Sequence, residues 1–314
     1  MSCQISVIVC THNPSVLKLR QVINSLKEQT FPLGSWELLL IDNASQESLA
    51  SKVVLGWHPT AKCIYEPKRG LTHARLCGFR NSQADLLVFV DDDNLLEPTF
   101  LANAFKIANQ HPTIAAFGGK VIPEFEVVPP SWIHQFDTAL AIRNFGDENI
   151  VCEQLPLLEG SPQYPAYAPI GAGLVMHRRA ADVYVASLSN HPERLSFGRS
   201  GKRLVSGEDN DIVLTVLSAG WGIGYFPALR LTHLISANRL TKDYLAKLNC
   251  ASSRSWVQVL DIHGIRPWQR ISKWSVLPRK LKAFWRYRPW KSDEAYIRWK
   301  GACGLFEGLA SLRT

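Results

Sequence analysis

A chain of 314 residues with 46% hydrophobic and 20% charged residues has an ordinary globular composition and is long enough to bury a sizeable core. No apolar run approaches the ~18 residues that a membrane-spanning helix needs. The net charge of +8 is local: residues 266–300 hold 11 Lys+Arg against 2 Asp+Glu, an excess of +9 that leaves the remainder at −1, so a near-neutral protein carries a basic tail.

The N-terminal stretch MSCQISVIVC has no basic segment ahead of its short apolar run. Residues 5–9 (ISVIV) therefore read as a first strand rather than a signal peptide. The seven cysteines are odd in number and contain no C-x-x-C, which suits reduced thiols in a cytosolic protein. Further strand-length runs occupy 37–41, 61–65 and 86–90. Between them, Val16, Leu19, Val22, Ile23 and Leu26 recur at helical spacing, and 72–83 is a second candidate helix. Strands alternating with helices predict an α/β fold, a mostly parallel Rossmann-like sheet with helices on both faces. Ligands bind such sheets beyond the carboxyl ends of the strands. Those ends carry Thr11-His12-Asn13, Asp42-Asn43, Lys68-Arg69-Gly70 and Asp91-Asp92-Asp93, which places the polar residues on one edge. Seven of the 18 prolines fall within 123–169, where long ordered loops are expected. A helix and a strand resume after Gly171-Ala172-Gly173 and again after Gly207.

Two acidic clusters carry the chemistry. In LLVFVDDDN, Asp91 and Asp93 flank Asp92 and share one side of an extended chain. Two carboxylates so placed suit a divalent cation, Mn2+ or Mg2+, with positions left open for a phosphate. The alternative is a solvated turn in which Asp93 or Asn94 caps a helix starting near Glu97. A strand ending in D-x-D also opens one class of phosphatases, but there the motif sits on the first strand. The second cluster, SGEDND, offers Glu208, Asp209 and Asp211, either as a base for an acceptor hydroxyl or as acids in a first helical turn, and both can hold together.

SVIVCTHN, ELLLIDNAS, EPKRGLTHAR, LLVFVDDDN and SGEDND, in this order, resemble family 2 glycosyltransferases of the glycosyltransferase A fold over residues 4 to 235. The resemblance implies a nucleotide-sugar donor, most often a UDP-sugar, a divalent metal at the D-x-D and inversion at the anomeric carbon. It implies that Thr11 and Asn13 line the nucleotide pocket and that Asp42 accepts hydrogen bonds from the base. Lys68, Arg69 and Arg75 lie where the diphosphate passes. Asp91 faces the ribose side, and Asp93 with Asp92 binds metal through the phosphates. His233 stands against metal or diphosphate, Asp209 is the base, and Glu208 orients acceptor or base. His12 and Leu76 depart from the usual residues. A nucleotide-sugar-binding half (residues 1–120), an acceptor-binding half (121–240) and a basic helical region (241–314) follow, with a saccharide or lipid-linked saccharide as acceptor. A non-catalytic nucleotide-sugar or nucleic-acid binder is the rival, disfavoured because a binder needs no acceptor base.

In the tail, a helix from Leu277 would put Leu277, Leu281, Phe284 and Trp285 on one face and Arg279, Lys282 and Arg286 on the other. That pattern suits attachment to the anionic inner face of a plasma membrane. A single-stranded nucleic acid, or a helix simply packed on the catalytic domain, are the other occupants it allows.

Overall fold

The computed structural model describes residues 3–158, 161–201 and 204–312. Its strands are β1 (Ile5–Thr11), β2 (Trp36–Asn43), β3 (Lys62–Glu66), β4 (Leu86–Asp91), β5 (Asn94–Leu96), β6 (Ile114–Phe125), β7 (Ile150–Cys152), β8 (Leu157–Leu158), β9 (Ser161–Pro162), β10 (Val175–His177) and β11 (Gly222–Ile235). The helices are α1 (Val16–Lys27), α2 (Leu71–Asn81), α3 (Phe100–Gln110), α4 (Arg178–Leu188), α5 (Glu208–Ser218), α6 (Lys242–Ile262), α7 (Val276–Tyr287) and α8 (Asp293–Ser311). Nine of the described strands form one sheet in the order β3-β2-β1-β4-β10-β6-β11-β5, with β7 paired to β11. β1 is parallel to β2 and β4, and β6 is parallel to β11, while β10 runs antiparallel between β4 and β6.

Burial on both faces makes the first strands continuous apolar runs. Ile5, Val7 and Val9 face a cluster with Leu19, Val22, Ile23 and Leu26 of α1 and with Leu101 and Ala104 of α3. Ile8 and Cys10 face the other side, against Ala74 and Cys77 of α2, Ala181 and Tyr184 of α4 and Ile212 and Val216 of α5. The fold is therefore the doubly wound α/β arrangement that the alternation of elements predicts.

One expected boundary moves. No helix starts near Glu97; residues 94–96 form β5, and α3 begins at Phe100. Pro98 accounts for this, because a residue ahead of proline is pushed out of the helical region. The short strand pairs Asn94 with His233 and Leu96 with Leu231 of β11. That register carries His233 to the end of β4. The proline-rich middle is largely irregular, with a 3-10 segment at Ile133–Leu140 and the small β8–β9 ladder.

The C-terminal helices are part of the body. α8 lies so close on α6 that a Cβ at Gly304 would sit 2.0 Å from the Cys250 carbonyl oxygen, so only glycine fits there. Ile297 joins Leu245 and Leu248 of α6 in a common cluster, and Leu309 joins Val257. Among the described residues, no helix is long and apolar enough to cross a membrane. All seven cysteines are unpaired.

Candidate active site

β1 stands between β2 and β4, so the chain winds to one side through β2 and β3 and then crosses to the other. Such a switch point leaves a crevice beyond the strand ends. There, with Cys10 in register with Asp91, a cavity of about 630 Å3 opens. Asp91, Asp92 and Asp93 all line it, as do Thr11, Arg69, Arg75, Glu208, Asp209 and His233. The structure thus brings both acidic clusters to one cavity across more than 110 residues of sequence.

The three acids at the end of β4 are held differently. Asp92 Oδ2 accepts the Thr11 hydroxyl, which fixes the carboxylate against β1. Asp93 Oδ2 lies 2.9 Å from Arg239 Nη1 and 3.4 Å from His233 Nε2. Arg239 Nη1 is also 3.0 Å from His233 Nε2, so the guanidinium sits between the two side chains. Burial raises Asp93, but the hydrogen bond and charge of His233 and the charge of Arg239 outweigh it and hold the carboxyl below the usual range. Burial, reinforced by the charge of Asp93, pushes Asp92 up. Asp91 is raised by burial against the opposing pull of Arg75.

A carboxylate and an imidazole facing one cavity suit Mn2+ or Mg2+ when phosphate oxygens complete the shell. Arg239 marks the spot: the donor pair already holds a positive group. Asp91 lines the same cavity, yet among the described residues no three His, Cys, Asp or Glu side chains gather closely enough to hold a metal ion by themselves.

The basic wall is built from α2 and the loop before it. Arg75 has a side chain only 3% exposed, lies 5.6 Å from the Phe89 ring centroid and sits 3.4 Å from Glu208 Oε2. Burial alone would lower its pKa; Glu208, Asp91 and neighbouring charges reverse that and keep it protonated. A Cβ at residue 171 would lie 2.4 Å from Arg75 Nη2, so Gly171 makes room for this guanidinium. Arg69 Nη2 donates to His12 Nε2 at 2.8 Å, which leaves the His12 Nδ1 proton for the Asn43 carbonyl at 2.7 Å. Asn43 in turn grips residues 68 and 70 through its side chain.

On the opposite wall, α5 begins at Glu208, with three acids in its first turn where the helix dipole favours them. Asp209 opens on the cavity and accepts the Gly171 amide at 3.3 Å. Glu208 is 2% exposed, and neither of its carboxylate oxygens has a hydrogen bond. Burial, with the charges of Asp209 and Asp211, overcomes Arg75 and lifts Glu208 to about 7. Asp211 points away from the cavity and is clamped by Arg194 Nε at 2.9 Å and His263 Nε2 at 2.8 Å.

Three expected site residues are elsewhere. Asp42 is 2% exposed, and its two oxygens accept the backbone amides of Ser45 and Leu49, so it shapes the loop after β2. Asn13, with φ +48, receives the Gln46 amide and ties two loops together outside the cavity lining. The exposed Lys68 does not line the cavity either. His12, placed on this edge by the sequence, lines it too, and Arg143, Arg199 and Arg239 line it without having been expected, as do Asn249, Ser252, Ser253 and Trp256 of α6. The α6 set has a signal in sequence: small and polar residues three and four positions ahead of a tryptophan share one face. It also shows that residue 240 does not divide the site from the tail. Arg239 stands in no motif.

A sequence model described as glycosyl transferase family 2 matches residues 6–162, half of the chain. The chain belongs to that family. As a glycosyltransferase it is 24% identical over 268 residues to the succinoglycan biosynthesis protein ExoM of Rhizobium meliloti (strain 1021), covering 83% of this chain and 77% of that protein. A glycosyltransferase of Haemophilus influenzae is 26% identical over 110 residues, which are 35% of this chain and 36% of its own. Among solved structures, GalNAc-T7 with UDP, GalNAc and Mn2+ has the same fold, with a TM-score of 0.55 and 16% identity. That similarity covers 98% of this chain, and the chain spans 56% of GalNAc-T7 as crystallised. The glycosyltransferase A fold expected from the motifs is the fold observed.

Proposed function

We propose that this glycosyltransferase moves a sugar from a nucleotide donor, a UDP-sugar first among candidates, onto a hydroxyl of a saccharide or lipid-linked saccharide, with inversion. The observation that carries the reading is the meeting of residues 91–93 with Asp209 across one cavity at the sheet's switch point. The UDP and Mn2+ bound to GalNAc-T7 support the donor and metal, and the name of the ExoM relative supports polysaccharide assembly. Residues 1–120 form the donor side. The acceptor side comprises 121–240 together with the cavity-facing residues of α6.

Asp93 and His233 would hold the divalent cation, whose charge neutralises the departing diphosphate when it is bound. Arg239 gives up its place between them for that purpose. Thr11 and Asp91 face the nucleoside, and Arg69 and Arg75 face the diphosphate charge. The acceptor oxygen bonds to the anomeric carbon from the face opposite the diphosphate, and the bond from that carbon to the diphosphate oxygen breaks with its electron pair. The hydroxyl proton passes to Asp209. Glu208, buried and without hydrogen bonds beside it, orients the acceptor.

A screen of UDP-, GDP- and dTDP-sugars, titrated with Mn2+ and Mg2+ and read by nucleoside diphosphate release, tests this. Release that needs both cation and a hydroxyl acceptor is the expected result. Silence with every donor would leave a nucleotide-sugar binder without catalysis.

A further inference from the structure

α7 is fixed to the body by one face and leaves its apolar face open. Ala283 is buried, the Phe284 ring packs 5.4 Å from that of Trp299, and Lys280 Nζ pairs with Glu307 at 2.7 Å, both partners lying on α8. Leu277, Leu281 and Trp285, spaced four residues apart on one side, are nevertheless 66%, 55% and 69% exposed. Trp274 just before the helix is 92% exposed and Trp290 just after it 54%. The expected apolar face therefore loses Phe284 to packing and gains two flanking tryptophans. Contiguous exposed apolar surface of this kind marks an interaction site.

Its surroundings select the partner. Lys273, Arg279, Lys282, Arg286, Arg288 and Lys291 are all exposed, and among the described residues none forms an ion pair. A surface that is apolar along one line and cationic beside it complements a sheet of negative charge with an apolar interior. Leucine and tryptophan suit the headgroup layer of such a sheet, and each lysine or arginine near it multiplies the affinity about fivefold. Single-stranded nucleic acid fits less well, because bases stack on aromatic rings and the stripe interposes Leu277 and Leu281. A groove of about 1080 Å3 adds a spatial argument. It shares Arg69, Gly198 and Ser200 with the catalytic cavity and is also lined by Lys273 and by Val276, the first residue of α7.

We propose that α7 docks on an anionic phospholipid bilayer, with Trp274, Leu277, Leu281, Trp285 and Trp290 in the headgroup layer and the flanking cations on lipid phosphates. The groove then leads from the docked surface to Asp209, which places a membrane-held acceptor within reach of the catalytic cavity; this last step rests on the glycosyltransferase reading, while docking itself does not.

The test is co-sedimentation of the full chain with phosphatidylcholine vesicles, with and without phosphatidylglycerol, and with no donor or acceptor present. Binding should require phosphatidylglycerol and weaken as salt is raised. The double variant Leu281→Glu/Trp285→Glu should lose about tenfold or more in binding. Lys282→Glu/Arg286→Glu should lose the phosphatidylglycerol dependence. All four side chains are exposed, so far-UV circular dichroism should match the parent, and a variant that unfolds is replaced by the single change Trp285→Ser. Sedimentation that ignores phosphatidylglycerol, variants that bind like the parent, or tighter binding to single-stranded DNA than to these vesicles would each overturn docking. An inactive enzyme in the donor screen would overturn the transfer reading and leave this result standing.

Discussion

At the end of β4, Asp93 is held by an arginine and a histidine, Arg239 and His233; at the head of α5, Asp211 is held by another such pair, Arg194 and His263. The partners are chemically the same, and the arginine distance is 2.9 Å in both. Exposure separates them. Asp93 keeps 21% of its side chain open to the cavity, whereas Asp211 keeps none. A buried grip of this kind costs much to break and little to leave alone, so it locks α5 to α6 and to the segment around Arg194. The same grip at a cavity wall can be exchanged for another cation. Both clusters also hold carboxyls pushed up by burial, Asp91 and Asp92 in the first and Glu208 in the second.

Four measurements strain that comparison. The largest effect is expected between neighbours on α5: Asp209→Asn should lower turnover by about 10²–10⁴ with donor affinity nearly unchanged. Steady-state diphosphate release and donor titration separate the two quantities, and near-normal turnover would pass the base role to Glu208. Two residues on, Asp211→Ala should instead destabilise the fold by about 3–5 kcal/mol, because Arg194 is left as a buried charge without its partner. Urea unfolding measures this, and a loss below about 1 kcal/mol would mean that water reaches Arg194.

The raised Glu208 carboxyl makes a pH statement with a definite sign. The folded protein keeps this proton up to about 7, while the unfolded chain releases it near 4.5, the ordinary value for a glutamate. Its stability is therefore fully present below the unfolded value and is lost as pH rises through about 7. Glu208→Gln has no such proton, so it should gain on the parent by roughly 1–3 kcal/mol between about pH 5 and about pH 8. Parallel urea midpoints for the two proteins across that range would contradict the shift. The smallest effect sharpens the contrast at Asp93. Arg239→Ala removes the guanidinium that occupies the proposed metal position, so on that reading Mn2+ should bind the donor-free protein about tenfold more tightly. Calorimetry reads this directly, and weaker binding would show that Arg239 helps hold the cation site instead of occupying it.

Much of this was legible in sequence where a motif sits on a strand end. Residues 91–93 could be found because they stand at the end of a strand, and residues 208–209 because they open a helix, so that a regular element fixes where the side chains go. The parallel half of the sheet, β1 to β4, and its flanking helices followed from apolar spacing; the later strands of the sheet did not. What escaped shares a physical cause. Arg239 and Trp256 reach the cavity only after β11 and α6 have packed; nothing local to Arg239 announces it, and the polar face ahead of Trp256 does not say what it will meet. Asp42 and Asn13 are ambiguous in sequence for the opposite reason: short polar side chains at a strand end can serve a ligand or cap a loop, and here both accept loop amides, those of Ser45, Leu49 and Gln46. Pro98 was the readable sign that residues 94–96 would not start a helix, and with that short strand comes the register that delivers His233.

The glycine seating of α8 on α6 bears on how such enzymes can be recombined. Cys250 and Val257 of α6 receive Gly304 and Gly308, while their neighbours Asn249, Ser252, Ser253 and Trp256 form a wall of the cavity. A chimera that exchanged everything after residue 262 would keep this seat only if its new tail also brought a glycine to position 304. Even an alanine there would have to push the Cys250 carbonyl aside, and the cavity wall would move with it. The tail is thus no detachable cassette: exchanging it would also reshape the wall of the cavity.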